Sequence, residues 1–214
     1  MITLLYREYP AWGAILAFVY GLLIGSFLNV CIYRIPQNKS IWAPPSSCQC
    51  GSRIRWYDLV PVFSWLLLRG KARCCGAPIS WRYPLVETLT GVLFFCCFTY
   101  LEPAKAVSGV CLVSILMVGS WIDWDHLMIP DRFTLGGAAT GLLLSFFLPA
   151  VHGLSGALPG LEALQSFLNA LLGLLIGSSV LLWIGIVAYA VMDKEAVGIG
   201  DIKLLGCIGC FCGW

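Results

Sequence analysis

Residues 107–122 read VSGVCLVSILMVGSWI, a stretch without a charged side chain, and run straight into Asp123-Trp124-Asp125-His126-Leu127-Met128-Ile129-Pro130-Asp131. A helix needs about 20 predominantly apolar residues to cross a hydrocarbon layer of about 30 Å. Outward from there, the chain holds four further runs of the same kind: 12–33, 85–100 (short, with Glu87 inside it), 133–151 and 167–192. Residues 204–214 form a partial sixth, about half the length a crossing needs. The 214-residue chain is 59% hydrophobic and 11% charged, against about 25% charged in an average soluble domain. It is therefore expected to be an all-α polytopic membrane protein with five transmembrane helices plus a partial sixth. The last run implies either a chain cut short within its sixth helix or a half-helix tucked against the bundle. A formal charge of +2 is too weak a field for nucleic acid to be a partner. The first run is too long for a signal-peptide core, and residues 1–10 carry only Arg7 against Glu8, so it is expected to stay in the mature chain.

Orientation follows from the basic residues of the short loops. Arg34, Lys39, Arg53, Arg55, Arg69, Lys71, Arg73 and Arg82 cluster between the first two runs, with Asp58 as the one acid among them. That loop is expected to face the cytoplasm, which places the chain in an inner membrane and in contact with the lipid bilayer. Alternation then puts residues 123–132 and 193–203 on the cytoplasmic side, and residues 151–165, without Lys or Arg, outside. The expected organisation is an N-terminal transmembrane helix (1–33), a cytoplasmic loop domain (34–84) and a membrane domain (85–214), with no internal repeat.

Five of the six aspartates fall in the two later inside loops: Asp123, Asp125, Asp131, Asp193 and Asp201. Asp123 follows an apolar run directly, and Asp201 is followed by Ile202, Lys203 and another. An ionisable group at that depth is costly and marks a functional site by default. Two carboxylates brought together cannot both ionise easily, so one holds a proton while the other draws one from water, as in aspartic proteolysis. Each acid taken singly also fits a side chain reaching for water or capping the following helix; capping is the reading for Asp131, beside Pro130. Gly198 and Gly200 before Asp201 allow close backbone approach. Lys203 is placed either to hold a carboxylate ionised or to reach for the interface. A proton-coupled transporter would use membrane acids as a relay, but its acids belong near the midplane of a repeated fold.

The sequence resembles the prepilin peptidases, the type IV leader peptidases of the GxGD class of membrane aspartic proteases. The resemblance rests on GLLIGSFLNVCIYRIP at 21–36, LLRGK at 67–71, PISWRYPLVE at 78–87, the D-x5-I-P-D run from Asp123, and GIGD at 198–201. It implies that Asp123 and Asp201 are the catalytic pair, Asp125 being the substitute for Asp123, with Gly198, Gly200, Pro130 and Lys203 in support. It also implies cleavage of prepilin and pseudopilin leaders after a glycine on the cytoplasmic side, without a cofactor for the peptidase. In many members N-methylation by S-adenosylmethionine follows; no residues are assigned to that cofactor. A degenerate or truncated member that binds pilins without cutting them is the alternative.

The cysteines depart from the family pattern of two C-x-x-C pairs, which reads as a four-thiolate zinc site. Here the pairs are Cys48-Gln49-Cys50 and Cys74-Cys75, with Ser47 and Ala72 standing where each leading cysteine would be. Thiols at such spacings cannot form the usual knuckle, so zinc needs a rearranged loop; the alternative is four reduced, unliganded thiols. The remaining seven cysteines lie in apolar runs, where thiols behave as small hydrophobes. His126 and His152, in opposite loops, read as solvated side chains. Glu87 reads as paired with Arg82 or as part of a substrate groove, and Gly13, Gly21, Gly25, Gly173 and Gly177 as helix-packing positions.

Overall fold

A computed structural model describes residues 10–48, 50–154, 156, 158–193 and 197–213. Their regular structure is helical, and among them only two isolated β-bridges occur, Ser47 with Arg53 and Lys71 with Pro78. The helices are α1 (Pro10–Arg34), α2 (Phe63–Leu67), α3 (Arg82–Tyr100), α4 (Pro103–His126), α5 (Asp131–Phe147), α6 (Pro159–Met192) and α7 (Ile199–Cys212), with short 3-10 turns at Trp56–Leu59 and Pro149–His152. Four of them, α1, α3, α4 and α6, are long and apolar enough to cross a membrane. The run expected at 133–151 is helical only from Asp131 to Phe147, 17 residues or about 25 Å. It stops there because Leu148 precedes Pro149, whose ring disfavours helical dihedrals in the residue before it.

The chain divides into two compact units, one ending at Leu101 and one beginning at Glu102. In the first, α1 and α3 pack antiparallel along small residues. A Cβ on Gly21 would meet Gly91 Cα at 2.8 Å, one on Gly25 would meet Glu87 Cα at 2.7 Å, and Asn29 Nδ2 donates to the Tyr83 carbonyl at 3.1 Å. Van der Waals contact between close backbones is what holds helices together where lipid tails remove the hydrophobic incentive.

In the second unit α6 and α7 run antiparallel at the same kind of seam. A Cβ on Gly173 would fall 2.2 Å from the Gly209 carbonyl oxygen, and one on Gly177 would fall 2.6 Å from that of Leu205. Helices α5 and α7 run parallel, Gly137 meeting Cys207 and Gly141 meeting Cys210 and Phe211. Ala138, Cys207, Cys210 and Phe211 form the buried cluster of this unit, with Cys111, Leu112 and Ile115 of α4 against it. Cys207 and Cys210 are thus small apolar packing groups, and Gly21, Gly25, Gly173 and Gly177 are packing positions, as read from the sequence.

Candidate active site and cysteine cluster

Asp123 lies in the last turn of α4 and is half-buried; Asp125 and His126 beyond it are exposed. Helix therefore continues through a segment expected to be loop, because Asp-Trp-Asp-His holds neither Gly nor Pro. It ends where Leu127 takes a left-handed conformation (φ 51°) and returns its N–H to the Asp123 carbonyl at 2.7 Å. Pro130 then occupies the N-cap of α5, and Asp131 is the first helical residue. The expected side-chain cap by Asp131 does not form. Its Oδ1 instead accepts from Lys203 Nζ at 2.7 Å, tying the start of α5 to the first turns of α7. Lys203 thus has Asp131 as its partner.

Asp201 is exposed in the first turn of α7, whose N-cap is Gly198. A Cβ at Gly198 would sit 3.1 Å from Asp201 Oδ2, so a larger residue there would crowd the carboxylate. Ile129 is the wedge between the two acid-bearing helices: its side chain lies 4.0 Å from where a Cβ of Gly119 on α4 would stand and 3.5 Å from that of Gly200 on α7. The end of α4 with Asp123 and the beginning of α7 with Asp201 are therefore at the same end of this unit. Among the described residues neither carboxylate has an ion-pair partner, in contrast to Asp131. Ile129 was missed as a site residue, although its place inside the I-P-D run was the available signal.

Glu87, in the second turn of α3, is buried, and its Oε2 accepts the Val62 N–H at 2.7 Å. Val62 is the N-cap of α2 and sits at φ 60°, ψ −49°, a region branched side chains avoid. His152 is not solvated: it is half-buried, with Nε2 2.9 Å from the Oγ of fully buried Ser145. Since Ser145 donates to the Gly141 carbonyl at 2.8 Å, His152 must donate to Ser145. Burial lowers its pKa from the usual value.

The four loop cysteines converge, all four Sγ atoms lying within 4.8 Å of one another. Cys48 is 3.5 Å from Cys75, Cys50 is 3.3 Å from Cys74, and Cys74 is 3.9 Å from Cys75. Four thiolates each about 2.3 Å from a tetrahedral zinc would be about 3.8 Å apart, so the set fits that ion. Two facing tight loops make this happen despite the odd spacings. In one, Cys48 N–H donates to Ser52 and Gly51 turns at φ 84°; in the other, Ala72 N–H donates to Ala77 and Gly76 turns at φ 70°. Hydrogen bonds from Ser52 lower the Cys50 thiol to about 6, whereas hydrogen bonding with Cys48 and Cys50 pushes Cys74 up to about 12. A cation bound there would balance the charge of the deprotonated thiols.

Residues 19–101 match the bacterial peptidase A24 N-terminal domain, and residues 110–214 match the type IV leader peptidase family. The chain is similar to a prepilin leader peptidase/N-methyltransferase of Myxococcus xanthus, with 41% identity over 94% of this chain and 56% of the relative. A protein of the same name from Klebsiella pneumoniae is 36% identical over 97% of this chain and 88% of the relative. A type 4 prepilin-like proteins leader peptide-processing enzyme of Escherichia coli O78:H11 is 35% identical over 100% of this chain and 82% of the relative. No solved structure is a significant match.

Proposed function

The chain belongs to the type IV leader peptidase family, and from that premise we propose that it is a membrane aspartic endopeptidase that removes the leader of type IV prepilins or pseudopilins after a glycine. The observation that carries the reading is that Ile129 lies against Gly119, one turn before Asp123 on α4, and against Gly200 beside Asp201 on α7, with no ion pair to either acid among the described residues. Asp123 and Asp201 share one proton at rest: the ionised member takes a proton from water as its oxygen bonds to the scissile carbonyl carbon, and the protonated member gives its proton to the leaving nitrogen as the C–N bond breaks. Gly198 leaves room for the Asp201 carboxylate, and Asp131–Lys203 fixes the register of α7 beside α5.

The basic loop 34–84 and both catalytic turns face the cytoplasm of a bacterial inner membrane, a placement supported by eight basic residues in that loop. Cys48, Cys50, Cys74 and Cys75 would hold zinc, which supplies a structural tie between the two tight loops. Methylation of the new amino terminus, with S-adenosylmethionine as donor, is supported by the relatives' names.

The test is cleavage of a co-expressed prepilin in membranes, read by gel shift, for the wild type, Asp123→Ala and Asp201→Ala. Cleavage by the wild type and by neither variant is the expected result. An inserted, folded wild-type chain that leaves the prepilin intact would sink the protease reading and favour a pilin-binding role.

A further inference from the structure

We propose that residues 35–81 form a membrane-lying platform that binds anionic lipid headgroups. The inference rests on the reading of α1 and α3 as membrane spans, and its occupant is the lipid surface.

Both ends of the segment are fixed at one membrane face. Helix α1 leaves the membrane at Arg34, and its antiparallel partner α3 enters at Arg82. Between them the chain is held back against the spans. Arg34 donates to the carbonyls of Ser40 (2.9 Å) and Pro44 (2.8 Å), folding residues 40–44 onto the end of α1. Trp42 then lies with its ring centroid 6.3 Å from that of Phe27, about two turns inside α1. Independently, the Val62 N–H on Glu87 seats the start of α2 beside the second turn of α3. Two points of the segment are therefore at the level of the outermost turns of the spans.

The side chains presented there suit lipid and not water. Trp42 is 83% exposed, and α2 presents Phe63, Leu66 and Leu67, an i, i+3, i+4 face, outward at 59–75%. Trp56 and Trp81 are exposed as well. Aromatic side chains at this level form the belt that anchors proteins in the headgroup region. A five-residue helix such as α2 is marginal in water, and an apolar face turned outward stabilises it only where that face meets an apolar medium.

The charge selects the lipid. The one acid of the segment, Asp58, is bound by Arg73 through both carboxylate oxygens at 2.9–3.1 Å. Exposed Arg53, Arg55, Arg69 and Lys71 have no acid of the segment left to pair with, and juxtamembrane basic clusters of this kind attract anionic headgroups.

The test reconstitutes the full chain in nanodiscs of phosphatidylcholine, with or without phosphatidylglycerol, and follows backbone amide exchange at residues 62–69. Exchange is expected to slow about tenfold or more with phosphatidylglycerol, and the slowing to vanish in R53Q/R55Q/R69Q/K71Q. Equal exchange in both lipids overturns the proposal, as does slowing that survives the four substitutions. Slowing produced by added prepilin and not by lipid overturns it in favour of a protein partner. Prepilin cleavage and resistance to carbonate extraction, measured on the same samples, report separately on the function and membrane readings.

Discussion

Replacing Gly173 by Ala probes the seam that positions Asp201. The added Cβ would fall 2.2 Å from the Gly209 carbonyl oxygen and 2.9 Å from its carbon, where contacts under 3.0 Å do not occur, so the backbones of α6 and α7 must part by about 0.8 Å. Gly136 on α5 is the control, because a Cβ there meets nothing within 4 Å. Both substitutions gain the same helix-propensity term, up to about 1 kcal/mol, so their difference isolates the steric cost, about 1–3 kcal/mol. In thermal unfolding of the detergent-solubilised protein this is a gap of about 2–12 °C between the two variants. Prepilin cleavage should fall by about 100-fold in Gly173→Ala, since a displacement near 1 Å of a catalytic group costs about that much, and stay at the wild-type level in Gly136→Ala. Equal stability and equal cleavage of the two variants would refute the packing argument and the placement of Asp201 that depends on it.

Asp201→Asn should abolish leader cleavage while leaving the unfolding temperature within a few degrees of wild type, measured by gel shift and differential scanning fluorimetry. Lys203→Ala and Asp131→Ala, combined in a double-mutant cycle of stability, should couple by about 0.2–1 kcal/mol, because the pair is 33% and 59% exposed and screened by water. Cys50→Ser with Cys74→Ser should remove a thiolate-to-metal absorption band seen when cobalt is titrated into the wild type; an unchanged band would exclude the cysteine cluster as the metal site. Burial keeps His152 neutral in the folded state, so the unfolded chain binds the extra proton. Stability should therefore fall as pH drops below about 6.5, and His152→Gln should flatten that dependence in chemical denaturation.

The long helices were legible because length and hydropathy are local properties: 107–122 and 167–192 announce α4 and α6 without reference to anything else. Asp123 and Asp201 stood out for a related reason, an acid abutting an apolar run being costly wherever the chain goes next. What was hidden depends on partners distant in sequence. Asp131 looked like a cap for α5, and only the fold brings Lys203, 72 residues away, onto its carboxylate. His152 looked solvated because nothing local reveals that Ser145 lies buried within reach of its ring. The four loop cysteines were legible as a set, and they do converge; what was hidden is how, spacings that cannot form a knuckle alone being compensated by two loops turning toward each other at Gly51 and Gly76. The early end of α5 was available in Pro149 but was outweighed by the hydropathy of the run.

The register of α6 against α7 bears on how fast this chain can work. Gly177 lies against Leu205 and Gly206, so Asp201 is level with α6 near residue 181, about three turns before that helix ends at Met192. Those turns, with Trp183, Ile184, Val187 and Val191 outward, are as apolar as the rest of the helix. Asp201, itself exposed, therefore stands beside an apolar helix face about 16 Å tall. On the proposed mechanism, how far that face lies within the hydrocarbon layer sets how readily water reaches Asp201, so prepilin cleavage in bilayers of different thickness is expected to differ in rate.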